Sequence, residues 1–104
     1  MDKATAVEQV RRYADVVRRH FDVAGVVLYG SYARGAAHED SDIDVAVIMD
    51  RLDDDWLTSA AELWRLSHDI DLRIEPVLLL PSDDRSGFLE HVLRTGEVIY
   101  SRDA

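Results

Sequence analysis

Apolar residues recur at intervals of three and four over residues 4–20, at Val7, Val10, Ala14 and Val17, and continue to Phe21. That spacing is the stripe of an amphipathic helix, with Arg11, Arg12, Arg18 and Arg19 lying largely off it. Gly25 then opens an unbroken apolar run over 26–29, which predicts a central strand rather than a half-solvated one. Residues 30–40 read as a loop holding a short helical turn, and 43–49 as a second strand. Asp53, Asp54 and Asp55 precede a helix carrying Leu57, Ala60, Ala61 and Trp64 on one face. These acids suit an N-cap and a first turn facing the positive end of the helix dipole. A third strand is expected over 72–80, stopped by Pro81, then a helix over 86–94 ended by Gly96. Residues 98–100 suit a short edge strand. The expected architecture is an α/β fold: a small mixed sheet of three to five strands, helices packed on one face, the other left as an open acidic cleft. Trp56 and Trp64 are expected to be core or interface aromatics.

Composition narrows the class. A chain of 104 residues with 47% apolar content, without repeats or linker, is expected to form one domain over 1–104. No apolar run approaches the roughly 18 residues of a membrane span, and the amino terminus lacks the layout of a signal peptide. Without cysteine there is neither a disulfide nor a thiolate metal site, which together favours the cytoplasm. The net charge of −9 argues against autonomous nucleic-acid binding, which needs a basic face to displace counterions. An acidic surface suits a basic protein partner instead.

The chemistry concentrates between the first two strands. Gly30-Ser31 forms a tight turn whose backbone N–H groups suit an anion. Beyond Gly35, Ser41-Asp42-Ile43-Asp44 opens the second strand. Side chains alternate along a strand, so Asp42 and Asp44 share a face, with Cα atoms roughly 6.5–7 Å apart. Glu39, Asp40, Asp42 and Asp44 place four negative charges within six residues, a costly arrangement unless a cation or abundant solvent screens it. Two carboxylates facing an anion-binding turn suggest a site for a metal-bound nucleoside triphosphate. The chain has no Gly-Lys-Ser/Thr P-loop and no dinucleotide-binding glycine motif. His20, His38, His68 and His91 lack zinc-ligand spacing, and His38 reads as a surface loop residue.

The motif G-S-x-A-R-G-x5-S-D-x-D, set in this order of elements, resembles the DNA polymerase β-like nucleotidyltransferase superfamily. More narrowly, it resembles the minimal nucleotidyltransferases that pair with HEPN-domain proteins. The resemblance implies a polymerase β palm-like fold, ATP as substrate and Mg²⁺, two ions in such sites, held by Asp42 and Asp44. It also implies a third carboxylate on the neighbouring strand, which binds metal or activates the attacking hydroxyl. Period-two alternation sets Asp71, Arg73 and Glu75 on one face. Glu75 is preferred for its mid-strand position among apolar neighbours, and Asp71 is the alternative. Gly30 and Ser31 are expected to contact phosphates. Arg34 either reaches the triphosphate or pairs with Asp40 or Asp42. Tyr29 and Tyr32 are expected as core or wall residues rather than base-stacking ones.

The resemblance implies protein adenylyl transfer: AMP moves to a tyrosine of a HEPN ribonuclease toxin, which makes this chain its antitoxin. A non-catalytic antitoxin that occludes its partner is a second reading. An antibiotic-modifying nucleotidyltransferase is a third, demoted because those enzymes usually carry a further domain. A site that is an open cleft in so small a chain implies that a partner or an oligomer supplies its other wall.

Overall fold

The computed structural model describes residues 1–103. Its elements are α1 (Lys3–His20), β1 (Gly25–Tyr29), α2 (Ser31–Arg34), β2 (Ile43–Ile48), α3 (Trp56–His68), β3 (Ile74–Leu79), a 3-10 turn (Pro81–Asp83), α4 (Phe88–Thr95) and β4 (Glu97–Ser101). The strands form one sheet in the order β3-β2-β1-β4. β1 pairs antiparallel with both β2 and β4, and β2 pairs parallel with β3. β1 and β2 are therefore central, as the unbroken hydrophobic run of β1 predicts for that strand. Pro76 sits in β3, where an edge strand tolerates a missing N–H.

Alternation along the strands divides the sheet into two apolar faces. Val26, Leu28, Ile43, Val45, Val47, Ile74 and Leu78 pack with Val10, Tyr13, Ala14 and Val17 of α1 and Leu63 and Leu66 of α3. The Tyr13 hydroxyl donates to the Leu63 carbonyl at 2.7 Å and ties the two helices together. Burial pushes that phenol well above its ordinary pKa, so it remains a neutral donor. The two long helices thus cover one face, as expected. On the opposite face Val27, Ala46 and Ile48 meet Leu89 and Val92 of α4. This short helix, on a face expected to be open, packs on β1 and on the Ala46–Ile48 end of β2, and it does not reach over the Asp44 end of β2.

The caps follow the sequence. Asp2 accepts from the Thr5 N–H at 2.8 Å at the start of α1, and Asp55 accepts from the Thr58 N–H at 2.7 Å at the start of α3. Both carboxylates are held below their usual pKa by these bonds. The triple-aspartate run is thus partly a helix cap.

The face of α3 departs from expectation. Leu57, Trp64 and the neighbouring Trp56 remain 73%, 56% and 50% exposed, whereas Ser59, Leu63, Leu66 and Ser67 are buried. The Ser67 hydroxyl donates to the Trp64 carbonyl at 2.6 Å, which removes the cost of burying it. Trp64 stacks on His68 at 3.8 Å between centroids instead of entering the core. The inward face of the helix thus pairs two leucines with two serines. Among the described residues no helix is long and apolar enough to cross a membrane.

Gly96 joins α4 to β4 at the closest approach of helix and sheet. A Cβ there would lie 2.7 Å from the Leu28 carbonyl oxygen, a Val27 methyl and the Val92 carbonyl oxygen. Two of those three atoms are backbone and have little room to give. Gly96→Ala should therefore destabilise the fold by about 1–3 kcal/mol, the range for overpacking. Urea unfolding checks this, and an unchanged midpoint would contradict the close packing of α4.

Candidate active site

β1 leads into the turn at Gly30, which has φ 75° and ψ −149°, a conformation open essentially to glycine alone. A second constraint acts at the same atom. A Cβ on Gly30 would collide with the Asp44 carboxylate, whose Cγ would be only 3.1 Å away. The turn and the carboxylate strand are thus packed directly against each other. α2 begins at once, and its first hydrogen bond runs from the Arg34 N–H to the Gly30 carbonyl at 3.1 Å. The N–H groups of Ser31, Tyr32 and Ala33 therefore have no acceptor within the helix. Gly35 ends α2 in the left-handed region at φ 72°.

The loop after α2 delivers the first aspartate. The Ser41 hydroxyl accepts from the His38 N–H at 2.9 Å, and the Ser41 N–H donates to the His38 carbonyl at 3.0 Å. His38 Nδ1 accepts from the Asp40 N–H at 3.3 Å. His38 is thus a turn residue, and Ser41 closes the loop immediately before Asp42.

Register then aligns one row across the open face. Tyr29 on β1 pairs with Asp44 on β2, and Asp44 pairs with Glu75 on β3. At the usual strand spacing this row spans about 10 Å. The Asp44 carboxyl is raised above its ordinary pKa, chiefly by desolvation and then by Asp42, while Arg34 pulls it down. Glu75 is raised by desolvation, by the charges of Asp42 and Asp44, and by a hydrogen bond with Asp42. Tyr29 is pushed up to about 12 by desolvation and by the negative charges of Asp44 and Glu75, so its phenol stays neutral. Asp42, Asp44 and Glu75 thus form one electrostatic cluster.

Asp71 lies elsewhere. It precedes β3, in a turn, so strand alternation does not carry it onto the face of Glu75. Its carboxylate accepts from the Arg73 N–H at 2.9 Å, from Arg73 Nε at 3.0 Å and from Gln9 Nε2 of α1 at 3.1 Å. Arg73 also donates through Nη2 at 2.9 Å. These bonds hold Asp71 well below the usual carboxylate pKa. Its side chain is buried on the α1 side and serves the entry into β3.

Gly30, Ser31, Arg34 and Asp44 line a cleft of about 430 Å³ together with Tyr29, Phe88, His91 and Thr95. The last three were missed in the sequence. Their spacing of three and four places them on one side of α4, flanking Leu89 and Val92, but that pattern does not reveal which sheet face α4 covers. Phe88 meets Tyr29 edge to face, with centroids 5.6 Å apart and planes at 84°. Tyr32, by contrast, is buried beneath α2 within the main core. A larger depression of about 600 Å³ runs along the outer side of α3. Its charged pair, Glu62 and Arg65, is already closed at 2.5 Å, so it offers no convergent chemistry.

Oxygen donors at Asp42, Asp44 and Glu75 match the preference of Mg²⁺ for hard ligands. Their mutual repulsion is the charge that a cation would relieve. Among the described residues no three acidic or histidine side chains already enclose an ion-sized point.

The Polymerase beta, Nucleotidyltransferase family model matches residues 12–104. This chain belongs to that nucleotidyltransferase family. The protein adenylyltransferase MntA of Thermococcus cleftensis is 36% identical over 85 residues, covering 81% of this chain and 80% of the relative. A solved structure designated a minimal nucleotidyltransferase superposes with a TM-score of 0.64 at 30% identity, over 92% of this chain and 94% of that one. A toxin–antitoxin structure with AMP-PNP superposes with a TM-score of 0.68 at 23% identity, over 88% and 73% of the two chains, a likeness of fold. The nucleotidyltransferase has its Gly-Ser turn and carboxylates on the uncovered face of the sheet.

Two outcomes follow from this geometry. Gly30→Ala should displace the Asp44 carboxylate and strain the turn, abolishing nucleotide binding while the α1 and α3 core stays folded. Calorimetric titration with MgATP, beside a circular dichroism melt, checks both halves. For Asp71, the lowered folded-state pKa means that its stabilising effect is present above its unfolded pKa, near 4, and is lost as pH falls toward the folded value. Asp71→Asn should cost about 1–3 kcal/mol at pH 7, the range for hydrogen bonds to a charged group, and progressively less below pH 4. A constant difference in unfolding free energy from pH 7 to pH 3 would refute that role.

Proposed function

We propose that this nucleotidyltransferase moves AMP from ATP to a hydroxyl of a partner protein, a tyrosine of a HEPN-type toxin, and so acts as its antitoxin in the cytoplasm. The observation that carries the reading is the row of Glu75, Asp44 and Tyr29 set beside the Gly30-Ser31 turn. The name of the Thermococcus cleftensis relative supports protein adenylyl transfer, and the toxin–antitoxin neighbour with AMP-PNP supports a toxin partner and a bound nucleotide.

In the reaction, the acceptor oxygen forms a bond to the α-phosphorus. The bond from that phosphorus to the oxygen bridging to the β-phosphate breaks, and pyrophosphate leaves with the electron pair. Ser31 and the free N–H groups of α2 bind phosphate oxygens, with Arg34 adding a charged fork. Asp42, Asp44 and Glu75 would hold divalent cations, Mg²⁺ by their donor chemistry, which would supply neutralisation of the charge that develops on the reacting oxygens. Glu75 stands at the far end of the row from the Gly-Ser turn, where its carboxylate takes the acceptor's proton. The exposed β3 edge leaves room for a partner's side chain at that end.

Incubation with the adjacent gene's product, labelled ATP and Mg²⁺ tests the reading. Label should pass to a partner tyrosine and fall by about 10³-fold or more in Asp42→Asn/Asp44→Asn, in line with the loss of preorganised charge stabilisation. Glu75→Gln should lower the rate by about 10²–10⁴-fold, the share of general base catalysis. A tight complex that carries no label and survives the double substitution would instead mean inhibition by occlusion.

A further inference from the structure

The cleft is asymmetric. Across the open face the order is Glu75 on the β3 edge, Asp44 at the centre and Tyr29 on β1, followed by α4 standing over β1. The phosphate-binding turn leaves β1 and therefore lies on the α4 side of the row. Beyond it the cleft is closed by Phe88, His91 and Thr95. The Thr95 hydroxyl is engaged, donating to the His91 carbonyl at 2.8 Å. The two rings remain: Phe88, more than a third exposed though it is the first residue of α4, and His91, exposed one turn later. Phe88 is held in place by its edge-to-face contact with Tyr29 at 5.6 Å. An exposed aromatic fixed at the mouth of a cleft, rather than folded into the neighbouring Leu89 and Val92 core, suits a flat π-surface as its partner.

We infer that the nucleobase of the triphosphate lies against Phe88 and His91 of α4, while the acceptor enters from the opposite, β3 side. This rests on the nucleotidyl-transfer reading above and adds to it the nucleoside subsite and the direction of approach. A triphosphate anchored at Gly30 and Ser31 then extends its nucleoside toward α4. The cleft of about 430 Å³ is within the range of small-ligand sites. The α4 wall closes this side of the cleft to a bulky acceptor, and the β3 side carries no such wall. Stacking on a side chain reads every base by its face, so the wall contributes affinity more than choice among bases.

Binding separates this inference from the reaction itself. Mg²⁺-bound ATP and Mg²⁺-bound inorganic tripolyphosphate are titrated into the unaltered protein, Phe88→Ala and His91→Ala. Phe88→Leu is added because it retains an apolar residue to anchor the start of α4, with thermal melts to verify folding. Phe88→Ala and Phe88→Leu should each raise the Kd for MgATP by about tenfold, and His91→Ala by a few-fold, as loss of base stacking implies. The Kd for tripolyphosphate should remain within about twofold in all three. Equal weakening of both ligands, or unchanged MgATP affinity in folded variants, would overturn the α4 wall while leaving nucleotidyl transfer standing. Failure of the unaltered protein to bind either ligand would overturn the proposed function and this inference with it.

Discussion

The contact between the Gly30 backbone and the Asp44 carboxylate is the constraint around which the site is built. β1 and β2 are antiparallel neighbours, and their register places the end of β1 opposite the start of β2. The turn that follows β1 must then pass over the side chain at position 44. Only a residue without a Cβ leaves room for that carboxylate, and only glycine readily adopts the backbone angles observed there. The unpaired N–H groups of the turn and a carboxylate end up adjacent because one missing side chain lets them be. The arrangement leaves negative charges close together on a partly dry surface, with carboxyls that hold their protons more tightly than usual.

The remaining structure keeps that contact in place. α1 and α3 fill one face of the sheet, joined by the buried Tyr13 hydroxyl. Asp71 fixes the turn into β3 and, through Gln9, links it to α1. The Ile43 N–H donates to the Arg73 carbonyl at 2.8 Å, so the same turn holds the start of β2 between Asp42 and Asp44. A carboxylate outside the acidic cluster thus helps hold the strand that carries it. On the second face α4 is short and packs on β1 and on Ala46 and Ile48 of β2, and this incomplete cover is what makes a cleft.

Much of the fold was legible because its signals are local. The stripe of α1, the apolar runs of β1 and β2, the Asp55 cap and the stop at Gly96 each depend on residues within one turn or one strand. The core face of α3 was not legible. Leu57, Ala60, Ala61 and Trp64 form the more apolar face by composition, yet Ser59 and Ser67 face inward. Ser67 satisfies its hydroxyl locally on the Trp64 carbonyl, while Trp64 stays outside against His68. Pattern alone cannot see the volume left by other elements.

The candidate site divides along the same line. The sequence by itself determined the Gly30-Ser31 turn, the Asp-x-Asp pair at the start of β2 and the family to which they point, because local pattern carries that information. It left Glu75 and Asp71 as alternatives, since both fall near one strand and a strand's first residue is poorly marked. Tertiary structure decided their placement, pairing Glu75 with Asp44 and turning Asp71 to Gln9 on α1. It also decided that Phe88 and His91 border the cleft, because which sheet face a short amphipathic helix covers depends on how the chain crosses the sheet. Spacing along a helix selects a side; only packing against distant strands selects what that side faces.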